Sequence, residues 1–523
     1  APVADETTNL AEGMDQAALD KIGALVCAEL DQDEEDMADW QVMHAEWKRL
    51  YAQQDKPINP PYDYASEESM PIMAEACNQF AARAYKAFFP NKNIIKAVPI
   101  GNAKDEDWER GQRLSKHMSW QLMARDRTYK RNKRRLLLSA AIHGSHFTKT
   151  YYDPVTKKNV VTNVRAEDLI VPYGTGPRDI EDIERKTHLV YMTQARSAHL
   201  AANEFFLEPA EVAMVPDDRQ TTTASQSFEG LNPTGLGEDA MREVCIVEQH
   251  RLLDLEDTGL ADPYIVWVDR ETQKVLRLSP RYEEVNGLQV PIEHFTHYPF
   301  VENPDGFYGL GMGHFIGELN KGINKLLRQI LDAGMLANVG NHSGLIDQSI
   351  APAGGDLNMD LGKFKKVNGA GDLSKGIFQF KFPGPQQVLG DIMNILMGRA
   401  DRLASVTEMI SGQPERVMQP TVVLALIEQA MEQYSAVYEG LFDAWSDELQ
   451  KIYRLNRLYM DEAEYFTALD APKEAEHIVL QVARADYADD MQIMPIADPK
   501  MATDQQRIAR AEAEHQVTNQ YYL

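Results

Sequence analysis

The sequence predicts a mixed α+β protein in which helix predominates, and three observations lead to that fold class. Apolar residues recur at alternating steps of four and three from Ile427 to Ile452, the spacing of one continuous helix face. Residues 243–300 are dense in Val, Ile, Tyr and Trp between turn residues, which favours strands. The 523 residues are 44% hydrophobic and 25% charged, which indicates a globular chain. The length suggests roughly two to four domains.

The N-terminal third is predicted to be helical with one early strand. Residues 1–90 are rich in Ala, Leu, Met and Glu, and their acidic run at 31–39 is typical of a solvated helix face rather than a cation site. A helix over 66–89 ends at Pro90, and a strand follows at 92–101. Residues 101–145 return to helix.

The clearest basic patch of the chain lies near the end of that helical stretch. Its seven residues fit an acidic partner surface or, alternatively, nucleic-acid phosphates. They are Arg125, Arg127, Lys130, Arg131, Lys133, Arg134 and Arg135.

The middle of the chain is predicted to be largely β. A hairpin over 146–175 turns at Asp153–Pro154, and a strand at 186–194 leads into a short helix at 195–206. Residues 208–240 are polar and predict a long mobile loop, which precedes the strands of 243–300. Glycines in 304–313 predict a hinge before the next helix.

The C-terminal part is predicted to be helical again. Helices over 314–338 and 386–409 flank a glycine-containing stretch with short strands, and a break at 410–421 precedes the longest helix, 421–460. Forty residues of helix span about 60 Å, so part of this helix should meet a large core or another subunit. The acidic tail, 461–523, is predicted to be helical.

Composition excludes several classes of protein. Fifty-three Lys and Arg against 80 Asp and Glu give a formal charge of −27, which argues against a protein that coats nucleic acid but not against one past which nucleic acid slides. No apolar run is long enough for a membrane span, and the N-terminal residues lack a secretory-signal pattern. The three cysteines are widely separated, which favours a reducing compartment over a disulfide framework.

Motifs for catalysis, cofactors or metals are not recognisable in the sequence. The glycines of 308–317 match neither a dinucleotide nor a P-loop pattern. The pairs His143/His146 and His294/His297 lack the further ligands that zinc requires. We therefore expect no catalytic residue, no metal and no cofactor, and we keep a large acidic hydrolase with a site near His294 and His297 as the less favoured alternative.

The helix after residue 313 carries an informative charge pattern. Lys321, Lys325, Arg328 and Asp332 lie at i, i+4, i+7 and i+11, hence on one face, while apolar residues cover much of the remainder. This pattern suits a helix in a ring of helices, and it equally suits a plain amphipathic surface helix.

Four segments together resemble bacteriophage portal proteins, the head-to-tail connectors of tailed phages, and most closely those of short-tailed phages. The segments are MPIMAEACNQFAARAYKAFFPNKNIIKAVPIG (70–101), AAIHGSHFTKTYYDPVTKKNVVTNVRAEDLIVPY (140–173), HYPFVENPDGFYGLGMGHFIGELNKGINKLLRQILDAG (297–334) and ISGQPERVMQPTVVLALIEQAMEQYSAVYEGLF (410–442). The likeness is a pattern of segments spread over residues 40–460.

The resemblance implies a portal fold with wing, stem, clip and crown. It assigns 1–194 to N-terminal helices and wing, 195–242 to the first stem helix and the mobile loop, and 243–303 to a β-rich clip. The second stem helix is 304–338, the returning wing 339–409, the tunnel loop 410–421, the long helix 422–460 and the crown 461–523.

The resemblance also implies function, partners and site residues. The protein would form a ring, usually a dodecamer, at one capsid vertex, assemble in the host bacterial cytoplasm and remain in the virion. It would contact capsid and scaffolding proteins, dock the terminase large subunit and later head-tail adaptor or tail proteins, and pass double-stranded DNA without sequence specificity. Lys321, Lys325 and Arg328 would line the DNA channel in the stem. The tunnel-loop residues would be Gln413, Glu415, Arg416, Met418 and Gln419. Another virion protein, an adaptor or tail subunit, is the nearer alternative.

Overall fold

The computed structural model is a mixed α/β structure with about 50% helix and 24% strand, which confirms the predicted class at that level. It describes residues 8–55, 65–101, 104–153, 156–172, 174–211, 243–255, 259–285, 288–339, 344–346, 377–379, 383–404, 420–467, 469, 479–488 and 491–496. The chain divides into two compact units. The first comprises Ala1–Lys48, Glu75–His314 and Val406–Leu523, and the second Arg49–Ala74 and Phe315–Ser405.

A five-stranded antiparallel sheet covered by an N-terminal helix forms one core of the first unit. Its strands, in spatial order, are β4 (Leu169–Ile170), β5 (Lys186–Thr193), β6 (Glu243–Leu253), β7 (Asp262–Asp269) and β8 (Val275–Pro280). Helix α1 (Gln16–Asp36) buries residues 19, 23, 26, 30 and 33 at helical spacing, and Val26 and Leu30 pack in one cluster with valines of the sheet. Helix α2 (Ala38–Tyr51) follows it directly.

Strand β6 joins two parts of the sequence that the resemblance separates. It pairs with β5 along its length, with Lys186 opposite His250, and it pairs with β7 on its other side. The segment 243–303 therefore does not fold as a separate block, because three of its strands extend the sheet begun by β4 and β5. Sequence spacing could not show this pairing, since β5 and β6 are far apart in the chain.

A three-stranded sheet forms a second core of the first unit. Its order is β11 (Phe295–Pro299), β2 (Ser145–Asp153) and β3 (Lys158–Val164), so the predicted hairpin at residue 153 is confirmed. Phe147 and Phe295 are fully buried beneath it. Strands β9 (Tyr282–Val285) and β10 (Leu288–Pro291) form a separate hairpin.

The helical stretch predicted over 101–145 is divided. Helix α4 (Asp105–Trp120) runs into a short π-helical turn (Gln121–Arg125), and α5 (Tyr129–His143) begins after Asp126, whose carboxylate accepts hydrogen bonds from the backbone N–H and the hydroxyl of Thr128. This local side-chain bonding competes with a continuous helix. The predicted helical character of 101–145 is therefore confirmed over 105–125 and 129–143, with a break at 126–128.

Glycines at the predicted hinge serve close packing. Helix α5 ends at Gly144, which has φ +88°, and a Cβ atom there would lie 2.2 Å from the carbonyl oxygen of Gly309. A Cβ atom on Gly311 would lie 2.4 Å from the backbone nitrogen of Gly144. These glycines let two backbone segments touch, so the interpretation of 304–313 as a hinge is replaced by close backbone contact.

The longest helix packs across the first unit. Helix α9 (Pro420–Tyr459) has 40 residues and buries Tyr438, Leu441, Trp445, Leu449 and Ile452, which confirms that part of the predicted stripe. Trp445 stacks on Phe88 of helix α3 (Ile72–Phe88) at 4.7 Å between ring centroids. The same helix contacts β2 and β11.

Most described residues of the tail form strands, with one short 3-10 helix at Arg484–Asp486, so the predicted helical tail is wrong there. Strands β14 (Ala463–Thr467) and β15 (Val479–Ala483) pair with each other. Strand β16 (Met491–Pro495) pairs with β1 (Ile95–Pro99), and Met491 and Ile493 are buried at alternate positions. Pairing with a strand about 400 residues earlier is invisible to local sequence patterns.

In the second unit, helix α7 (Met312–Val339) continues from Phe315. Helix α8 (Gln387–Ala404) and a strand pair, β12 (Gly344–Ile346) with β13 (Ile377–Gln379), complete its described elements. No helix among the described residues is long and apolar enough to cross a membrane.

Candidate functional site: cationic helices and their buried anchors

The polar side of α7 divides into two neighbouring stripes, one that makes structural contacts and one that faces solvent. Asn320 and Asn324, which are each 1% exposed, accept hydrogen bonds from the backbone N–H groups of Met73 (3.1 Å) and Met70 (2.8 Å). Asp332 accepts one from Ser66 (2.8 Å). This polar face therefore holds residues 66–73 against α7. The sequence pattern did not single out the two asparagines, because mid-helix Asn has no distinctive spacing.

Arg328, predicted to line a channel, is engaged within the second unit. Its Nε donates to the carbonyl oxygen of Glu68 at 3.0 Å, and its Nη2 lies 3.2 Å from the carboxylate of Asp55 and also bonds the Asp55 carbonyl. The guanidinium side chain is only 12% exposed. Arg328 therefore acts as a structural clamp in this conformation, and its assignment to the DNA channel is not retained.

Lys321 and Lys325 face solvent to a greater degree. Lys325 is exposed, and the ammonium of Lys321 lies 2.7 Å from the carboxylate of Glu318, one turn earlier on α7. An exposed ion pair of this kind contributes little stability. These two lysines remain the candidate DNA-facing cations of α7. The predicted tunnel-loop residues Gln413, Glu415, Arg416, Met418 and Gln419 lie outside the described residues, as do 212–242, most of the predicted mobile loop.

The predicted basic patch separates into an exposed face and one buried member. Six of its seven residues are exposed, namely Arg125, Arg127, Lys130, Arg131, Arg134 and Arg135. Arg125 is ion-paired with Glu464 of β14 at 2.6 Å. Lys133 is 1% exposed, so its prediction as a member of a partner surface is wrong.

Lys133 anchors α5 to α9 through a buried carboxylate. Its ammonium lies 2.8 Å from Glu448, which is completely buried and also accepts hydrogen bonds from the hydroxyls of Tyr129 (2.8 Å), Thr148 (2.6 Å) and Tyr298 (2.8 Å). Burial alone would raise the pKa of Glu448, but Lys133 and the hydroxyl donors lower the pKa below its usual value. Four donors therefore hold one ionised carboxylate where α5, α9 and two strands meet.

A second buried carboxylate connects strands of the two sheets. Glu248 of β6 is completely buried, with Lys149 at 2.6 Å, His250 at 2.9 Å and His188 at 3.1 Å. Burial would raise the pKa of Glu248, but Lys149 and the two histidines keep that pKa well below its usual range. Because these partners come from β2, β5 and β6, the ion network fixes how the strands meet.

A third carboxylate repeats the arrangement at the edge of β11. Glu293 bonds Lys186 and lies 3.4 Å from Arg281. Burial raises the pKa of this carboxyl, but the two cations outweigh burial and lower the pKa to about 2. Strong pKa shifts can mark catalytic sites, but structural ion pairs produce them as well. The three clusters belong to the second kind, since each carboxylate is saturated by donors of the protein.

The histidine pairs considered for metal or hydrolase chemistry are separated by the fold. His297 Nε2 lies 2.9 Å from the hydroxyl of Ser145, which also accepts a hydrogen bond from the Gly309 N–H. Ser145 is completely buried, so no substrate reaches its hydroxyl in this conformation. His143 Nδ1 instead lies 3.1 Å from His44 Nδ1, and His146 contacts Ser139. Burial lowers the pKa of His297 to about 3, which keeps it neutral.

One cleft of the first unit has a volume of about 490 Å³ and is lined largely by charged side chains. Two of its three arginines pair with carboxylates: Arg251 lies 2.7 Å from Glu29, and Arg185 lies 3.1 Å from Glu29 and 2.7 Å from Asp33. Mutual neutralisation leaves no activated nucleophile in this cleft. Among the described residues, no group of three or more His, Cys, Asp or Glu side chains is arranged to hold a metal ion.

No protein-family model matches the chain, and no curated protein is significantly similar to it.

Proposed function

We propose that this chain is a portal protein, the subunit of a ring-shaped channel for packaging and ejecting viral DNA at one capsid vertex. In that role it would dock the packaging motor during filling and adaptor or tail proteins afterwards. The chain would have no catalytic activity of its own.

The order of the described elements is the observation that carries the proposal. Helix α6 (Gln194–Ala202) precedes the strands β6 to β11, and the 28-residue α7 follows them. The strand pair β12–β13, helix α8 and the 40-residue α9 come next. This is the order that the resemblance implies for stem, clip, stem, wing and long helix. The pairing of β6–β8 with β4–β5 in one sheet would move the implied boundary between wing and clip, and it leaves the order of elements unchanged.

Charge supports a conduit for DNA. Twelve copies would carry a surplus of about 324 negative charges, and an acidic wall repels phosphates so that DNA passes without sticking. Lys321 and Lys325 would supply a few weak contacts against this background. Arg328 would not, because Asp55 and Glu68 occupy its guanidinium.

The competing hydrolase hypothesis has less support. Of its two candidate histidines, His294 is buried, and His297 is partly buried and hydrogen-bonded to the Ser145 hydroxyl. The residues that line the charged cleft show no nucleophile beside a base. An adaptor or tail subunit is the nearer alternative, and oligomer shape distinguishes it from a portal.

Electron microscopy of the purified protein tests the proposal. We expect top views of a ring with a central hole, whose symmetry gives the copy number. Particles that stay without a channel through trials of concentration and salt would reject the proposal, since a portal must close a ring to function.

A further inference from the structure

Two helices that are distant in sequence form one cationic surface in the first unit. Lys130 of α5 lies 5.9 Å from the ring centroid of Phe89, and the guanidinium of Arg134 lies 4.7 Å from the ring centroid of Tyr85. Phe89 follows the last residue of α3, so these cation–π contacts place the exposed face of α5 beside the C-terminal end of α3. We call this the α3–α5 basic surface.

The surface carries seven exposed cations. They are Lys86 and Lys92, at and just beyond the end of α3, with Arg127, Lys130, Arg131, Arg134 and Arg135 around α5. In the part of the chain that the structure describes, none of the seven forms an ion pair with a carboxylate. The nearest acidic residue in sequence, Asp126, accepts hydrogen bonds from Thr128.

The composition of the surface fits a protein partner better than a passing DNA strand. Four of its cations are arginines, and one of them, Arg134, lies against the half-buried ring of Tyr85, while Lys130 lies near the half-buried ring of Phe89. Arginine and aromatic side chains are enriched at protein interfaces, where guanidinium groups bind carboxylates in a forked geometry.

The chain itself offers the complementary charge. Without these seven cations the remaining residues have 46 basic and 80 acidic side chains, a net charge of −34. Asp31, Glu35, Asp36 and Asp39 are exposed near the junction of α1 and α2. The acidic stripe spans residues 31–39 and the α5 part of the basic surface spans residues 127–135, so each extends over nine residues of the chain. Among the described residues, no ion pair joins the two stripes within one copy.

We propose that the α3–α5 basic surface docks on the acidic stripe of a second copy of this chain. A contact between two different surfaces of identical copies is head-to-tail, and repetition of that contact closes a ring when the rotation permits. The inference rests on the proposed portal function and names the surfaces that hold neighbouring subunits together.

A charge-swap experiment tests this pairing. The variant R131E/R135E should weaken self-association at least about tenfold, because like charges then face each other. The variant E35R/D39R should weaken it similarly, and all four substitutions combined in one chain should restore it. Sedimentation velocity at several salt concentrations measures the association.

The control K21E/K96E makes the same charge change at exposed lysines outside both stripes, and it should associate like the wild type.

The outcomes separate this inference from the portal proposal. If R131E/R135E forms rings as readily as the wild type, the pairing is overturned and the portal proposal is unaffected. Assemblies that weaken in the single-surface variants and recover in the quadruple variant, but that never close into a ring, support the pairing and reject the portal proposal. A chain that stays monomeric at every salt and concentration, or a quadruple variant that fails to reassociate although circular dichroism shows it folded, overturns the pairing. Unchanged association with loss of binding to a short DNA duplex assigns the surface to DNA instead.

Discussion

Replacing Lys133 by methionine should destabilise the first unit far more than the same change at Lys130, three residues earlier on the same helix. Lys133 is 1% exposed and pairs with Glu448, whereas Lys130 is exposed. Methionine keeps most of the side-chain volume at either site. The comparison therefore isolates the buried charge from the helix in which both lysines lie.

The structure sets the size of the expected effect. In Lys133→Met, Glu448 keeps its three hydroxyl donors but loses the ammonium of Lys133, and removing one partner of a buried ion pair typically costs about 3–5 kcal/mol. Lys130→Met should stay within about 0.5 kcal/mol, as at other exposed positions. The double variant Lys133→Met/Glu448→Gln should cost less than the sum of the single changes, because neither charge is then left unpaired.

Urea unfolding followed by tryptophan fluorescence is a suitable assay. All six tryptophans belong to the first unit, and the indole N–H of Trp445 donates to the Tyr129 hydroxyl within the Glu448 cluster at 2.7 Å. The signal therefore follows the unit that contains the ion pair. A loss below about 1 kcal/mol for Lys133→Met, or additive effects in the double variant, would refute the argument that this charge is desolvated.

Three further predictions concern acid stability, a close backbone contact and the α7 cations. The unfolding free energy should fall as the pH drops from 6.5 towards 3, because the pKa of His297 is lowered from 6.5 to about 3 and in this pH range only the unfolded chain protonates this histidine. In acid titrations followed by circular dichroism, His297→Gln should weaken the dependence of the unfolding free energy on pH. Gly144→Ala should cost at least about 2 kcal/mol in urea unfolding, whereas Gly174→Ala, which has φ +80° and open space, should show only the smaller cost of a left-handed backbone. Arg328→Gln should destabilise the second unit in hydrogen-exchange measurements without altering DNA retention. Lys325→Gln should reduce DNA retention and leave the stability of the second unit unchanged. Equal effects of the two variants on DNA retention would return Arg328 to the set of channel residues.

Local sequence patterns were sufficient for the helices and for the hairpin. The periods of α7 and α9 extend over many turns, so each helix buries one face whatever it packs against. The hairpin of β2 and β3 follows from alternation around a turn, which involves only neighbouring residues. Local patterns failed for the tail, where β16 becomes a strand because β1 offers it an edge.

The candidate site was predictable only as a set of charges. The sequence located the basic residues of α5 and α7. The residue type alone does not show whether a charged side chain on a helix faces solvent, contacts a partner or pairs with a buried carboxylate. Lys133 and Arg328 were predicted to lie at a surface, but the structure gives them structural roles. Local patterns could not show this, because their partners Glu448 and Asp55 lie hundreds of residues away in the chain. The same distance hid the approach of α3 to α5, which brings Lys86 and Lys92 to the cationic surface.

The sequence by itself determined the charge balance, the positions and lengths of the main helices, and the lack of a recognisable catalytic motif, since these depend on composition and local periodicity. Only the tertiary structure decided which ionisable side chains are buried and paired, how β6 joins the sheet of β4 and β5, and which cations remain for a partner. The physical reason is that desolvation and strand pairing depend on contacts between residues that are remote in sequence. Whether a buried charged side chain stabilises or destabilises the fold depends on the partner that it contacts.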